Sequence, residues 1–234
     1  MTDVLTDRAS LVRAFFRLTA VDGDNPALTE HDSDTLEAVY QFLQYGAWDA
    51  QAWLLDCGLA DRWVSVSSAL SWSGSDSSDG GRYAALPSDF LRAIGDDNRS
   101  CLRVPGGDLW GSQVDFRDRW TGGSNRYWFQ DEHVWISKAS APPSGLCLDY
   151  HEKLATLADS TTVDFPSEHR PLIVAYAADR ASTDAWLPGD LEMQAKILSN
   201  LTKLKKESYR RVRRTSGPRK LKMGQQINST HWMV

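Results

Sequence analysis

Apolar positions in "DRASLVRAFFRL" (7–18) fall at Leu11, Ala14, Phe15 and Leu18. This i, i+3, i+4, i+7 spacing predicts an amphipathic helix. Turn chemistry follows in "VDGDNPALT" (21–29). "SDTLEAVYQFLQYG" (33–46) predicts a second helix, with Ser33 as its N-cap, Leu36, Val39, Tyr40 and Leu43 as its apolar face, and Gly46 as its stop. "AWDAQAWLLDCG" (47–58) then predicts a separate short helix ended by Gly58.

The period changes after Asp61. In "RWVSVSSALSW" (62–72), Val64 and Val66 alternate with serines, which predicts strand. "SGSDSSDGG" (73–81) is loop by composition. "RYAALPSDFLRAI" (82–94) contains a Leu-Pro break and predicts a short helical turn. "QVDFRDRW" (113–120), "NRYWF" (125–129), "EHVWIS" (132–137) and "GLCLDY" (145–150) are short aromatic or alternating runs between turn residues. Together they predict a small, mainly antiparallel β unit.

Helix returns in "SEHRPLIVAYAADRAS" (167–182), with Ser167 as cap and Pro171 placed where a helix tolerates it, near its start. After the turn "PGD" (188–190), residues 191–214 predict a long helix. Its apolar stripe is Ile197, Leu198, Leu201 and Leu204, and it stops where a basic run starts. "TSGPRKLKMGQQINSTHWMV" (215–234) has little periodicity and reads as an extended tail.

The expected fold class is therefore α+β. Helices from both ends of the chain form a bundle around an inserted, small antiparallel β domain. The expected divisions are 1–61, 62–165, 166–214, and an extended C-terminal tail at 215–234.

Composition is that of a soluble globular protein, with 234 residues, 41% apolar and 24% charged. No apolar run approaches the roughly 18 residues of a membrane span. The acidic start "MTDVLTDRAS" lacks the basic and apolar regions of a signal peptide, so cytosolic synthesis is expected. Cys57, Cys101 and Cys147 are too few and too scattered for a disulfide framework, and no C-x-x-C pair indicates zinc.

Charge is unevenly placed. Residues 203–222 hold ten basic residues and one acidic one, which leaves 16 basic and 30 acidic residues elsewhere, a net of −14. The acidic remainder repels phosphate, so any nucleic-acid contact falls to the basic segment.

No phosphate-loop, dinucleotide, nucleophile-elbow or zincin motif is present. No catalytic, cofactor or metal residue is therefore assigned. "VPGGDLWG" (104–111) and "TGGS" (121–124) read as glycine turns. His151, beside Asp149 and Glu152, is a candidate general base or metal ligand, and it reads first as the polar end of a strand. His133 reads as a hairpin-turn residue, and His31 and His169 as solvated helix starts. Nine of the ten tryptophans sit in or beside predicted elements, where core packing explains most and a subunit interface a minority.

The strongest signal is the basic stretch. Arg210, Arg211, Arg213 and Arg214 lie on consecutive turns of one helix end. Arg219, Lys220 and Lys222 extend the cationic run, and Trp232 and Met233 supply an apolar tip. A basic extension unable to bury itself reads as a segment that orders on a partner.

This succession resembles the head-to-tail adaptor (connector) proteins of tailed bacteriophages, of the tail tubular protein A type. The resemblance rests on "DTLEAVYQFL", "YAALPSDFLRA", "NRYWFQDEHVWIS", "LCLDYHEKLATL" and "VDFPSEHRPLIVAYAADRA", in that order, over roughly residues 30–205. It implies a structural virion protein without catalysis, located at the portal vertex and made in the host cytoplasm. It implies self-association in a ring, commonly of twelve, that joins the portal to the next tail component (tube, nozzle or terminator). DNA only passes through the channel, and no membrane is involved. The resemblance also supplies a partner for the basic segment: the portal protein, docked by Arg210, Arg211, Arg213, Arg214, Arg219, Lys220, Lys222, Trp232 and Met233. The alternatives are a nucleic-acid-binding or packaging-associated protein that uses the same segment, and a hydrolase centred on His151.

Overall fold

The computed structural model describes residues 5–19, 32–59, 62–73, 81–94, 100–115, 125–137, 142–158, 162–187 and 191–216. Turns expected at 21–29, 121–124 and 188–190, most of the serine-rich loop, His31, Trp120 and the tail beyond Ser216 lie outside them.

Among the described residues, four helices and eight short strands give the expected α+β fold. The helices are α1 (Arg8–Thr19), α2 (Ser33–Asp56), α3 (Pro171–Thr183) and α4 (Leu191–Ser216). Between α2 and α3 come β1 (Val64–Val66), β2 (Arg82–Ala85), β3 (Phe90–Ala93), β4 (Leu102–Arg103), β5 (Ser112–Gln113), β6 (Arg126–Gln130), β7 (His133–Ile136) and β8 (Cys147–Glu152). A 3-10 turn, Ser167–His169, leads into α3, and Pro171 opens that helix at a position where no intrahelical N–H is needed.

Several elements depart from the sequence expectation. The helices expected at 33–46 and 47–58 are one continuous helix, and Gly46 is a buried interior residue of it. Its N-cap is Asp32 rather than Ser33: the Asp32 carboxylate accepts from Thr35 N–H at 2.8 Å. Gly58 does end the helix region, with φ +102°. The segment 82–94 contains no helical turn. It holds β2 and β3, which belong to different sheets, with a turn in which Phe90 N–H donates to Pro87 O.

On α1, the buried apolar residues are Leu11, Val12, Phe15 and Phe16, so the core-facing stripe is rotated from the expected one. α3 lies against α2, α1 and α4. It carries Leu172, Ile173, Ala175, Ala177, Ala178 and Ala181, all fully buried. The small side chains allow the surrounding helices a close approach.

In the β region, β8 is central to one sheet, flanked by β1 on one side and by β3 and β4 on the other. The second sheet runs β2-β7-β6-β5, antiparallel except for the β5–β6 pair. The β6–β7 hairpin turns at Asp131 and Glu132, with φ +50° and +60°, the mirror-image geometry that suits strand twist. Leu102, Tyr127, Val134, Ile136, Leu146 and Leu148 fill the core between the sheets. The Tyr127 hydroxyl oxygen accepts from Cys101 N–H at 3.0 Å inside that core. Tyr127→Phe therefore strands a buried donor and is expected to cost about 1–2 kcal/mol, read from chemical denaturation.

The two halves are bound together along α2. Gln44, Trp48 and Gln51 share one face at i, i+4, i+7 spacing. Gln51 donates to Glu152 O at 2.8 Å and accepts from Leu154 N–H at 3.1 Å. Trp48 Nε1–H donates to Leu154 O, and Gln44 accepts from Leu157 N–H. The backbone leaving β8 is thereby satisfied, and Leu154, Leu157, Val163 and Phe165 are buried in the helical core. The Arg170 guanidinium donates to Phe165 O, Leu5 O and Val163 O, tying the chain's start to the same segment. All eight described tryptophans are buried or half-buried, as core packing requires.

Candidate docking surface

α4 runs antiparallel to α3, so its last turns return to the residues preceding α3. Ile197, Leu201, Ser208 and Val212 are buried along its inner face, and Leu204 is half-buried. Leu198, expected in that stripe, is 57% exposed and faces away. The stripe also continues beyond the expected end at Leu204, because Val212 is only 1% exposed. The basic segment is therefore held against the body through its helical part.

Arg210, Arg211, Arg213 and Arg214 flank the buried Val212 and are all exposed. Arg211 Nη1 donates to Glu168 O at 3.0 Å, fixing the end of α4 to the 3-10 turn. Arg213 lies over the Tyr209 ring at 5.4 Å, and Lys205 over Tyr176 at 4.7 Å. Arginines in the last turn also complement the helix dipole. Arg219, Lys220, Lys222, Trp232 and Met233 lie outside the described residues.

The structure adds a cation that the sequence reading missed. Arg62, 148 or more residues earlier than the arginines of α4, is exposed and lies close enough for its charge to act on both Glu168 and His169. The charge of Arg211 acts on His169 as well. Arg62 sits just before a strand, where no charge pattern links it to α4.

His169 lies beneath this cationic face and is 3% exposed, not solvated as expected. Its Nδ1 is buried without a hydrogen-bond partner among the described residues. Burial is the main cause that lowers its pKa; Glu168 opposes the shift, and Arg211 and Arg62 add to it. His151 is lowered in the same direction, again chiefly by burial. A histidine held neutral in the fold protonates more readily when unfolded. Its contribution is therefore full above the ordinary histidine range and is lost as pH falls through it. The carboxylates lowered in the fold, Asp7, Asp32 and Glu168, lose their contributions only below the ordinary carboxylate range. The melting temperature is expected to fall between pH 7.5 and 5.5, and less steeply in His169→Gln. Equal slopes in the two proteins would dismiss His169 as a source.

At the rival centre, His151 and Asp149 do not pair. Asp149 is bound by Arg103 (Nε–Oδ2 3.1 Å), and His151 Nδ1 lies 3.2 Å from Arg62 O, where a protonated Nδ1 donates to that carbonyl. Glu152 projects to the opposite face of the strand. The imidazole–carboxylate couple of a general base is thus not assembled there. Among the described residues no group of three or more His, Cys, Asp or Glu is arranged to hold a metal ion, and no helix is long and apolar enough to cross a membrane. Cys57 and Cys101 are free thiols whose pKa values burial raises to about 12 and about 11.

The family model described as SU10 adaptor protein matches residues 9–220, nearly the whole chain. No curated protein matches it. The chain belongs to the SU10 adaptor family, a phage head-to-tail adaptor family, in agreement with the resemblance read from the sequence.

Proposed function

We propose, from membership of this adaptor family, that the chain joins the portal to the tail and extends the DNA channel as a ring of copies, twelve by resemblance. Membership of the family makes the chain a structural phage adaptor and virion component. The observation that supports portal docking is the end of α4. Val212 anchors it to the body while Arg210, Arg211, Arg213 and Arg214 stand exposed. A guanidinium pairs with carboxylates in a two-pronged geometry, which favours acidic protein surface as the target. Arg219, Lys220, Lys222, Trp232 and Met233 extend the same contact along the portal in this reading.

Deletion of 215–234 is expected to weaken attachment to purified portal several-fold and to leave the fold intact, since Val212 and its helix remain. Binding to portal and to duplex DNA is compared at one salt concentration. Loss confined to DNA, with the steep salt dependence of phosphate contacts, would install the nucleic-acid reading instead.

A further inference from the structure

Strand β1 stands at the edge of its sheet and pairs only with β8 among the described residues. Its register decides what the free edge offers. Glu152 N–H donates to Trp63 O, and Ser67 N–H donates to Leu148 O. Residues 63, 65 and 67 therefore direct their backbone groups to β8, and Val64 and Val66 direct theirs away from it. The same two residues carry exposed apolar side chains, 51% and 55% accessible. They share one face, since side chains alternate along a strand. Natural edge strands are blunted by charge, proline or a covering element, yet β1 has valine at both outward positions.

Arg62 stands at the start of this edge. Its guanidinium forms no hydrogen bond or ion pair within the described residues, although Glu168 is within electrostatic reach. Arg211, hydrogen-bonded to Glu168 O, adds positive charge to that end. At the other end, a cavity of about 410 Å³ follows the continuation of the edge, lined by Val66, Ser67, Leu70, Leu86, Pro87 and Tyr150 among others. One end of the edge is thus cationic, its middle apolar, and its far end hollow.

We propose that the β1 edge receives an extended segment of a partner protein by strand addition, a segment with apolar residues at alternate positions and carboxylates at the end beside Arg62. The backbone groups of Val64 and Val66 supply the ladder, their side chains pack on the segment's apolar face, and Arg62 fixes its direction. The edge adjoins the arginines of α4 at Arg62 and Arg211, but its ladder and apolar face involve no residue of α4, so strand addition does not depend on portal docking.

The test uses the full chain and two synthetic peptides of alternating valine and threonine, one ending in a pair of glutamates and the other in a pair of lysines. Hydrogen exchange is followed at the amides of Val64 and Val66. The acidic peptide is expected to slow both amides at least about tenfold and to bind at least about tenfold more tightly than the basic one. Arg62→Glu reverses the preference, and Val66→Pro, which removes an edge donor, abolishes binding. If Val66→Pro lowers the melting temperature, an acidic peptide methylated on alternate backbone nitrogens replaces it, and loss of its binding is expected. Protein in which Arg210, Arg211, Arg213 and Arg214 are glutamine retains the peptide, which separates this edge from the docking surface. Unchanged exchange at Val64 and Val66, equal affinity for the two peptides, or no effect of Arg62→Glu overturns the proposal. So does protection that grows with protein concentration in the absence of peptide, which would assign the edge to a second copy of the chain.

Discussion

Gly46→Leu is expected to prevent the helical half from assembling, and Gly46→Ala to lower the melting temperature by roughly 4–8 °C. A Cβ at Gly46 falls 2.5 Å from Ile173 O, 2.7 Å from Ala177 N and 3.0 Å from Ala177 Cβ. The first two are backbone atoms of α3, so no side-chain rotation relieves the contact. α3 would have to back away from α2. Ile173, Ala177 and Ala178 are fully buried beside that crossing, and each would lose packing. Two effects oppose one another in the alanine variant. Helix propensity favours alanine over glycine by about 1 kcal/mol. Forced separation in a close-packed core costs about 1–3 kcal/mol, and a backbone clash lies at or above the upper end. The net loss of about 2 kcal/mol corresponds to the stated shift for a chain of this size. Leucine adds three carbons to the same place and leaves no packed solution. Thermal and chemical denaturation of both variants decides the matter. A rise in melting temperature for Gly46→Ala would mean that propensity wins and that α2 and α3 do not touch through their backbones.

The same glycine shows where the sequence was legible and where it was not. Helical periodicity on both sides of Gly46 was plain, and local rules assign an isolated glycine to a helix end. Its actual reason is tertiary, the close approach of a helix more than 120 residues later in the chain. The run 82–94 failed for a related cause. Leu86-Pro87 marks a break correctly, but the residues on either side of it are strands that pair with β7 and β8, partners that local spacing cannot reveal. Val64 and Val66 were read correctly as strand. Alternation could not tell whether the valine face turns inward, and it turns outward. In α4, the period placed Ile197 and Leu201 correctly. The basic composition of the run obscured Val212, a single apolar residue that docks the helix's last described turns.

The candidate surface divides in the same way. The arginines of α4 were visible as a charge cluster, because they are neighbours in sequence. Arg62 and His169 were not, since three separate segments bring them together: the approach to β1, the 3-10 turn, and α4. Gln44 and Gln51 look like ordinary surface residues of an amphipathic helix. Gln51 is instead fully buried, because the backbone leaving β8 needs both its donor and its acceptor. Polar residues that satisfy a distant backbone carry no local signal.

Reversing the charge of Arg210, Arg211, Arg213 and Arg214 together, each to glutamate, is expected to raise the Kd for purified portal by at least about 100-fold. One exposed ion pair contributes about 0–1 kcal/mol, so four account for up to roughly 4 kcal/mol, at most about a 1000-fold change before any repulsion is counted. Repulsion from an acidic portal surface moves the result toward the upper end. Repetition around a ring would raise the effect further through effective concentration. The fold is expected to survive the loss of the Arg211–Glu168 O bond, because all four side chains are exposed and Val212 is untouched. Four glutamates at a helix C-terminus oppose its dipole, so fraying of the last turn is the competing explanation for any loss. The glutamine variant separates the two. It removes the cations without adding anions, and a loss of docking intermediate between native and glutamate proteins, with unchanged helicity, assigns the effect to charge. Lysine in all four places keeps the charge and removes the planar fork, so partial retention identifies the bidentate component. Raising the salt concentration should weaken native binding and leave the glutamine variant nearly unaffected. Portal attachment that persists at native strength in the glutamate variant, while duplex DNA binding disappears, would refute portal docking by α4 and make the basic segment a nucleic-acid contact.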